Sequence, residues 1–300
     1  QGGAEGGPVL AGRVAAMATV TFFHAHPDDE AIATGGTMAD LADQGHRVVL
    51  VTATRGELGE TPDGLLAAGE SLADRRISEL AEAGRILGVS RQSFLDYHDS
   101  GMAGEESNNR PGCFAAADPE EAAEALASIL DEEASEALVI YDEHGGYGHP
   151  DHIQVHRVGM RAAARAGTPV VYMATMDRDF FQGLRQEAAD SGLTPPGDQP
   201  DEEVTMGEPA GRITTEVDVT RWIDTKRQAM RAHASQIGEG SFFLSMPDDL
   251  FNRVWGQEWY IRVRPEPMAE TAGRREAALL LSPESTSGPL GAASGSGSVR

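Results

Sequence analysis

Short apolar runs alternate with stretches of helical period from residue 18 to residue 173, and this alternation narrows more than any other feature what the chain can fold into. Residues 18–23, 48–54, 93–96, 137–141 and 169–173 read as short buried strands. Between them, 32–44 (ended by Gly45), 72–87 (ended by Gly88), 120–133 and 151–166 (opened by Pro150) read as helices. A strand, a helix and a second strand in succession form a right-handed crossover between parallel neighbours. Repeated along the chain, that unit predicts an α/β fold, a Rossmann-like doubly wound, mostly parallel sheet with helices on both faces. Such sheets bind ligands outside the carboxyl ends of their strands.

Past residue 182 the signals weaken. A Gly-, Pro- and acid-rich loop from about 191 to 211 precedes a helix at 224–237 and a last strand at 258–263. Residues 1–16 and those from 282 onward are too poor in apolar side chains to order themselves, so one domain over 17–265 is expected, with a loose N-terminal segment and a C-terminal extension over 266–300. No internal repeat is present, and no run approaches the roughly 20 apolar residues of a membrane span. With 24 basic against 48 acidic side chains, a net charge of −24, the chain repels a phosphate backbone, which excludes nucleic acid as a partner. A lone cysteine, Cys113, makes no intramolecular disulfide, and no basic-then-apolar leader opens the sequence, so the cytoplasm is the expected location.

Two clusters carry chemistry. The first, His24-Ala25-His26-Pro27-Asp28-Asp29-Glu30, begins where the first strand ends. Packing five ionisable groups against a buried strand end costs several kcal/mol per ion, to order of magnitude, unless a cation or hydrogen bonds compensate. The second, His144-Gly145-Gly146-Tyr147-Gly148-His149-Pro150-Asp151-His152, follows the strand at 137–141, with His156 four residues later. Both sit at carboxyl ends, so they can face each other across one metal ion. A catalytic zinc takes three His or Asp/Glu ligands and keeps a fourth position open. His26, Asp29 and His152 are the candidate ligands. His156 shares a helical face with His152, but a fourth protein ligand would close the site to water, so it is expected to stay outside the set. Zinc suits these donors, and iron(II) can occupy the same set.

AHPDDE after the first strand, HDSGM, and GYGHPDH after a later strand resemble the LmbE/PIG-L family of metal-dependent de-N-acetylases over about residues 18–265. The nearest likeness is to the bacterial members acting on GlcNAc-inositol and on mycothiol conjugates. The resemblance implies one ion per chain held by His26, Asp29 and His152, with Asp28 as general base. It places His149 and Tyr147 at the oxyanion, and Arg76 and Asp99 on the hydroxyl groups of a small-molecule N-acyl amino sugar or conjugate. The chemistry is consistent, because an amide is a poor electrophile with a poor leaving group. An ion activates water and carbonyl, and a neighbouring carboxylate takes the proton. Either Asp28 or His149 can then protonate the leaving nitrogen.

Blander readings stand beside these. Arg76 can form a helix-surface salt bridge and Asp99 an Asx turn. Glu30 is expected to support the site without ligating, Glu57 receives no role, and His24, His98, His144 and His233 are left outside it. A dinucleotide-binding reading of Gly35 and Gly36 fails, since no G-x-G-x-x-G follows the first strand. An amidase acting on a larger thiol conjugate, or a non-catalytic sugar-binding module, are the alternatives, and loss of Asp28 or His149 would mark the latter.

Overall fold

The computed structural model describes residues 17–190, 206–266 and 275–280. The expected loose segments at 1–16 and from 282, and residues 191–205 of the acid-rich loop, lie outside the described residues. Five strands fall where the apolar runs are: β1 (Thr19–His24), β2 (Arg47–Thr54), β3 (Arg91–Tyr97), β4 (Ala137–Tyr141) and β5 (Val170–Thr175). β6 (Thr215–Asp218) and β7 (Gln257–Arg264) follow. Among the described residues these make one sheet in the order β3-β2-β1-β4-β5-β7-β6. The first five are parallel, β7 runs antiparallel to β5, and β6 antiparallel to β7.

The helices are α1 (Asp29–Ala33), α2 (Gly35–Asp43), α3 (Leu72–Ile86), α4 (Pro119–Glu132), the single turn α5 (Gly145–Gly148), α6 (Pro150–Ala166), α7 (Arg178–Asp190), α8 (Ile223–Ala232) and α9 (Asp248–Trp255). Local chemistry sets their starts. Ser71 Oγ accepts the Asp74 N–H of α3, and Asp118 caps α4 with Pro119 in its first turn. After Arg47 the whole of β2 is buried, the pattern of a strand covered on both faces. On one face Phe22 and Leu50 pack with Met38 of α2, Leu80 of α3 and Met230 of α8. On the other, Phe23 and Val51 pack with Leu126 of α4 and Val155 of α6.

Three features depart from the sequence reading. The single helix expected over 32–44 is two, broken at Thr34, because the Glu258 carboxylate from β7 accepts the Gly36 and Thr37 N–H groups and gives α2 its own N-terminus. β6, α7 and α9 stand where the sequence reading places no element. Residues 275–280 lie against the sheet edge, where Glu276 pairs with Thr215, Arg275 lies 2.6 Å from Asp177, and Leu279 enters the core. The strand order reverses between β1 and β4, so the ends of these two strands border the crevice where doubly wound sheets bind ligands.

Candidate active site

From the end of β1 the chain turns through His26, Pro27 and Asp28 into α1. Asp28 has φ 107° and ψ −30°, a backbone state that costs an L-residue on the order of 1–3 kcal/mol. The turn is gripped from both sides. The Asp28 N–H donates to Glu30 Oε2 at 2.9 Å, and Glu30 Oε1 lies 2.6 Å from His233 Nε2. On the other side Arg76 of α3 donates to Pro27 O and, at 2.7 Å, to Gly56 O, with Nη2 3.2 Å from Asp28 Oδ1. Gly56 has φ +63°, and a Cβ there would collide with the Arg76 guanidinium.

The second cluster is shaped by Asp142, buried just past β4. Its Oδ1 accepts the N–H groups of His144 and Gly146 at 3.0 and 2.9 Å, and its Oδ2 accepts Thr175 Oγ1 at 2.6 Å. This folds α5 back over α6. A Cβ on Gly145 would stand 2.5 Å from His152 Cβ, so the close approach requires glycine. His149 caps α6, its Nδ1 accepting the Asp151 N–H at 3.1 Å. That acceptor role puts the ring proton of neutral His149 on Nε2.

The two clusters meet at Asp29. Its Oδ2 lies 3.5 Å from His26 Nδ1 and 3.4 Å from His152 Nε2. Among the described residues two donor sets around His26 are within reach of a single ion, one with His149 and His152, the other with Asp99 and Asp151; Asp29 belongs to neither, although its Oδ2 lies within 3.5 Å of both His26 and His152. The second set is already engaged. Asp151 accepts Ser100 N at 3.0 Å, Ser100 Oγ, and His26 Nε2 at 3.1 Å, while Asp99 accepts Gly101 N at 2.9 Å and Leu58 N at 3.2 Å. His152 differs. Its Nδ1 faces Gly145 O at 3.2 Å, as a donor, and its buried Nε2 has no hydrogen-bond partner. A buried lone pair left unpaired is costly, and a cation satisfies it. Asp28, Asp29, Glu30, Asp99 and Asp151 crowd the same region, which also favours a positive ion. The donors present therefore fit a divalent metal. At the remaining cluster, Glu143, His144 and Glu208, Arg212 lies 2.8 Å from each of the two glutamates and supplies the cation itself.

Electrostatics divides the acids. Burial opposes ionisation of Asp29, but His152 and His26 in their protonated forms outweigh it and hold the carboxyl well below the usual range, a part that a bound cation takes over when the rings are neutral. Burial pushes Asp28 up to about 6, Asp29 adding to the rise and Arg76 opposing it. Burial, with His26 and His152 nearby, pushes His149 down to about 4, so it is neutral at neutral pH. Desolvation beside Asp29 and Asp28 pushes the Tyr147 phenol well above its ordinary value and keeps it a donor.

All eight residues singled out from the sequence, His26, Asp28, Asp29, Arg76, Asp99, Tyr147, His149 and His152, line one cavity of about 630 Å³. Arg76 is buried, not a helix-surface ion pair, and its guanidinium is bound to Pro27 O and Gly56 O. Asp99 does form an Asx turn, through Gly101 N, and lines the cavity as well. Glu57, given no role, accepts the Asp99 N–H at 3.2 Å. His156 Nδ1 lies 3.0 Å from Tyr141 O, away from the cluster. Sequence reading gives no role to Asp151 or Asp142 and sets His233 outside the site. Asp151 stood inside the quoted GYGHPDH run, whereas Asp142 and His233 carried no local signal.

Comparisons with known proteins give the family of the chain. Residues 21–163 match the family described as PIG-L, GlcNAc-PI de-N-acetylase. The chain is 44% identical over 256 residues to the 1D-myo-inositol 2-acetamido-2-deoxy-alpha-D-glucopyranoside deacetylase of Acidothermus cellulolyticus, covering 80% of this chain and 87% of that one. To the protein of the same name from Streptomyces griseus it is 40% identical over 300 residues, covering 92% and 93%. Among solved structures, N,N'-diacetylchitobiose deacetylase from Pyrococcus horikoshii shares the fold, with a TM-score of 0.53 at 23% identity over 84% of this chain and 88% of that one. The chain therefore belongs to the PIG-L family of de-N-acetylases, hydrolases of the amide C–N bond of N-acetylated amines.

Proposed function

We propose that the chain removes the acetyl group from the amino sugar of 1D-myo-inositol 2-acetamido-2-deoxy-alpha-D-glucopyranoside, the compound named for its relatives, using one zinc ion held by His26, Asp29 and His152. Iron(II) suits the same donors in a reducing cell. The observation that carries this reading is the unpaired, buried Nε2 of His152 beside Asp29 Oδ2, with Asp28 one residue away. When bound, the ion acts as a Lewis acid on the amide carbonyl and lowers the pKa of water.

The remaining work falls to side chains. Asp28, with its carboxyl raised to about 6, is ionised at neutral pH yet basic enough to take a proton from the attacking water. His149, neutral and carrying its proton on Nε2, donates a hydrogen bond to the developing oxyanion, and Tyr147 supplies a second donor. Protonating His149 on Nδ1 would break its cap to Asp151 N–H. For that reason Asp28 is the group that returns the proton to the leaving nitrogen as the C–N bond breaks, giving acetate and a free amine. Arg76 and Asp99 border the sugar, steadied by their own backbone bonds.

We place this chemistry in a single domain over 17–265 on which residues 275–280 of the C-terminal extension pack, in the cytoplasm, where the buried thiol of Cys113 stays reduced. A larger conjugate is the second reading, favoured by the apolar wall of Leu58, Met102, Met206, Phe243 and Trp255 along the cavity. Both are tested by incubating zinc-loaded protein with a panel of N-acetyl amino sugars, their inositol glycosides and thioether conjugates, and quantifying free amine with fluorescamine. The glycoside should give the highest kcat/KM. A flat profile, or preference for the thioether conjugates, would displace it.

A further inference from the structure

Asp28 is held in a backbone state that its own sequence disfavours, and something must hold it there. Part of the grip comes from Arg76 of α3. The rest comes through Glu30 from a residue 203 positions beyond it in sequence, at the end of α8. There His233, fully buried, presents Nε2 to Glu30 Oε1 at 2.6 Å, and the other oxygen of the same carboxylate accepts the Asp28 N–H at 2.9 Å. Glu30 is also fully buried, so neither group is solvated in place of the contact. α8 is itself anchored, because Lys226 Nζ lies 2.5 Å from Glu258 Oε1 on β7, and that carboxylate also holds the start of α2. An anchored helix thus delivers a donor to the carboxylate that fixes the backbone of Asp28.

We propose that His233, acting through Glu30, is a positioning residue for Asp28, setting where its carboxylate points without touching the substrate or the metal ligands. The proposal rests on the reading of Asp28 as the proton acceptor. Small displacements of a reacting group cost large factors in rate, so loss of the grip should reduce turnover and leave binding and metal content nearly unchanged.

The test is a double-mutant cycle on the zinc-loaded full chain. His233→Leu should lower kcat roughly tenfold or more, with KM within about twofold and zinc content equal to wild type. His233→Gln places an amide N–H near the position of Nε2 and should restore most of the loss. In an Asp28→Asn background His233→Leu should change kcat by less than about twofold, since there is no base left to misplace. Should the leucine variant not fold, His233→Asn, too short to reach Glu30, takes its place with the same expectations. An equal tenfold loss in the Asp28→Asn background, an effect on KM alone, a parallel loss of zinc, or unchanged kcat in His233→Leu would overturn the proposal. Wild-type turnover in Asp28→Asn by itself would show that the base assignment has failed and take the proposal with it.

Discussion

Replacing Asp151 by asparagine isolates what a buried carboxylate does for the proposed metal ligand beside it. Asp151 Oδ2 faces His26 Nε2 at 3.1 Å and Ser100 N at 3.0 Å, and its Oδ1 accepts Ser100 Oγ. Engaging Nε2 leaves His26 Nδ1 on the side of Asp29. Asparagine keeps the volume but turns one acceptor into a donor, so an N–H must now meet either Ser100 or the N–H of His26. A hydrogen bond to a charged partner is worth about 1.5–3 kcal/mol. At about 1.4 kcal/mol per decade, zinc binding should weaken roughly 10- to 100-fold. Competition against a chromophoric chelator measures this directly, and the thermal unfolding of the metal-free protein, recorded in parallel, separates a ligand effect from a folding defect. An unchanged zinc Kd in a folded Asp151→Asn protein would refute the argument that Asp151 orients His26.

Further outcomes follow from the same geometry. His26→Ala and His152→Ala should lose zinc and activity together, whereas His156→Ala, whose ring bonds Tyr141 O, should keep its zinc by elemental analysis. Asp28→Asn should retain the ion while kcat falls about 10²-fold or more, the scale of a general base, in a steady-state amine-release assay. Acid stability supplies a control far from the site. Hydrogen bonds from Arg47 hold the Glu133 carboxyl below its ordinary range, burial opposing and Arg91 assisting. A depressed folded-state pKa contributes stability that is present above the unfolded-state value and lost as pH falls through the folded one. The melting-temperature gap between wild type and Glu133→Gln should therefore be widest near neutral pH and close below the ordinary carboxylate range, and a gap that widens on acidification would contradict the sign.

The parallel half of the sheet was legible because a strand buried on both faces must be apolar throughout, as in VVLVTAT, and because Gly45 and Gly88 end the helices. The site clusters were legible because His26, Asp28 and Asp29, or Tyr147, His149 and His152, sit close in sequence and reach one edge through topology alone. What stayed hidden depends on distant pairing. Nothing near His233 announces that it meets Glu30, nothing near Glu258 announces that it caps α2, and the break at Thr34 is the local trace of that second contact. Asp142 and Asp151 act by accepting hydrogen bonds from turns whose shape the sequence does not encode locally. β6, four residues long, alternates too briefly to distinguish it from loop.

In the proposed mechanism a single ion held by His26, Asp29 and His152 drives amide hydrolysis of an N-acetylated amino sugar. The most direct measurement follows free amine released from 1D-myo-inositol 2-acetamido-2-deoxy-alpha-D-glucopyranoside by one preparation as isolated, after chelation, and during stepwise return of zinc. Activity should vanish on chelation and rise in proportion to added zinc, levelling off at one ion per chain. Full activity in the metal-free protein, or no amine released by the fully loaded one, would contradict it.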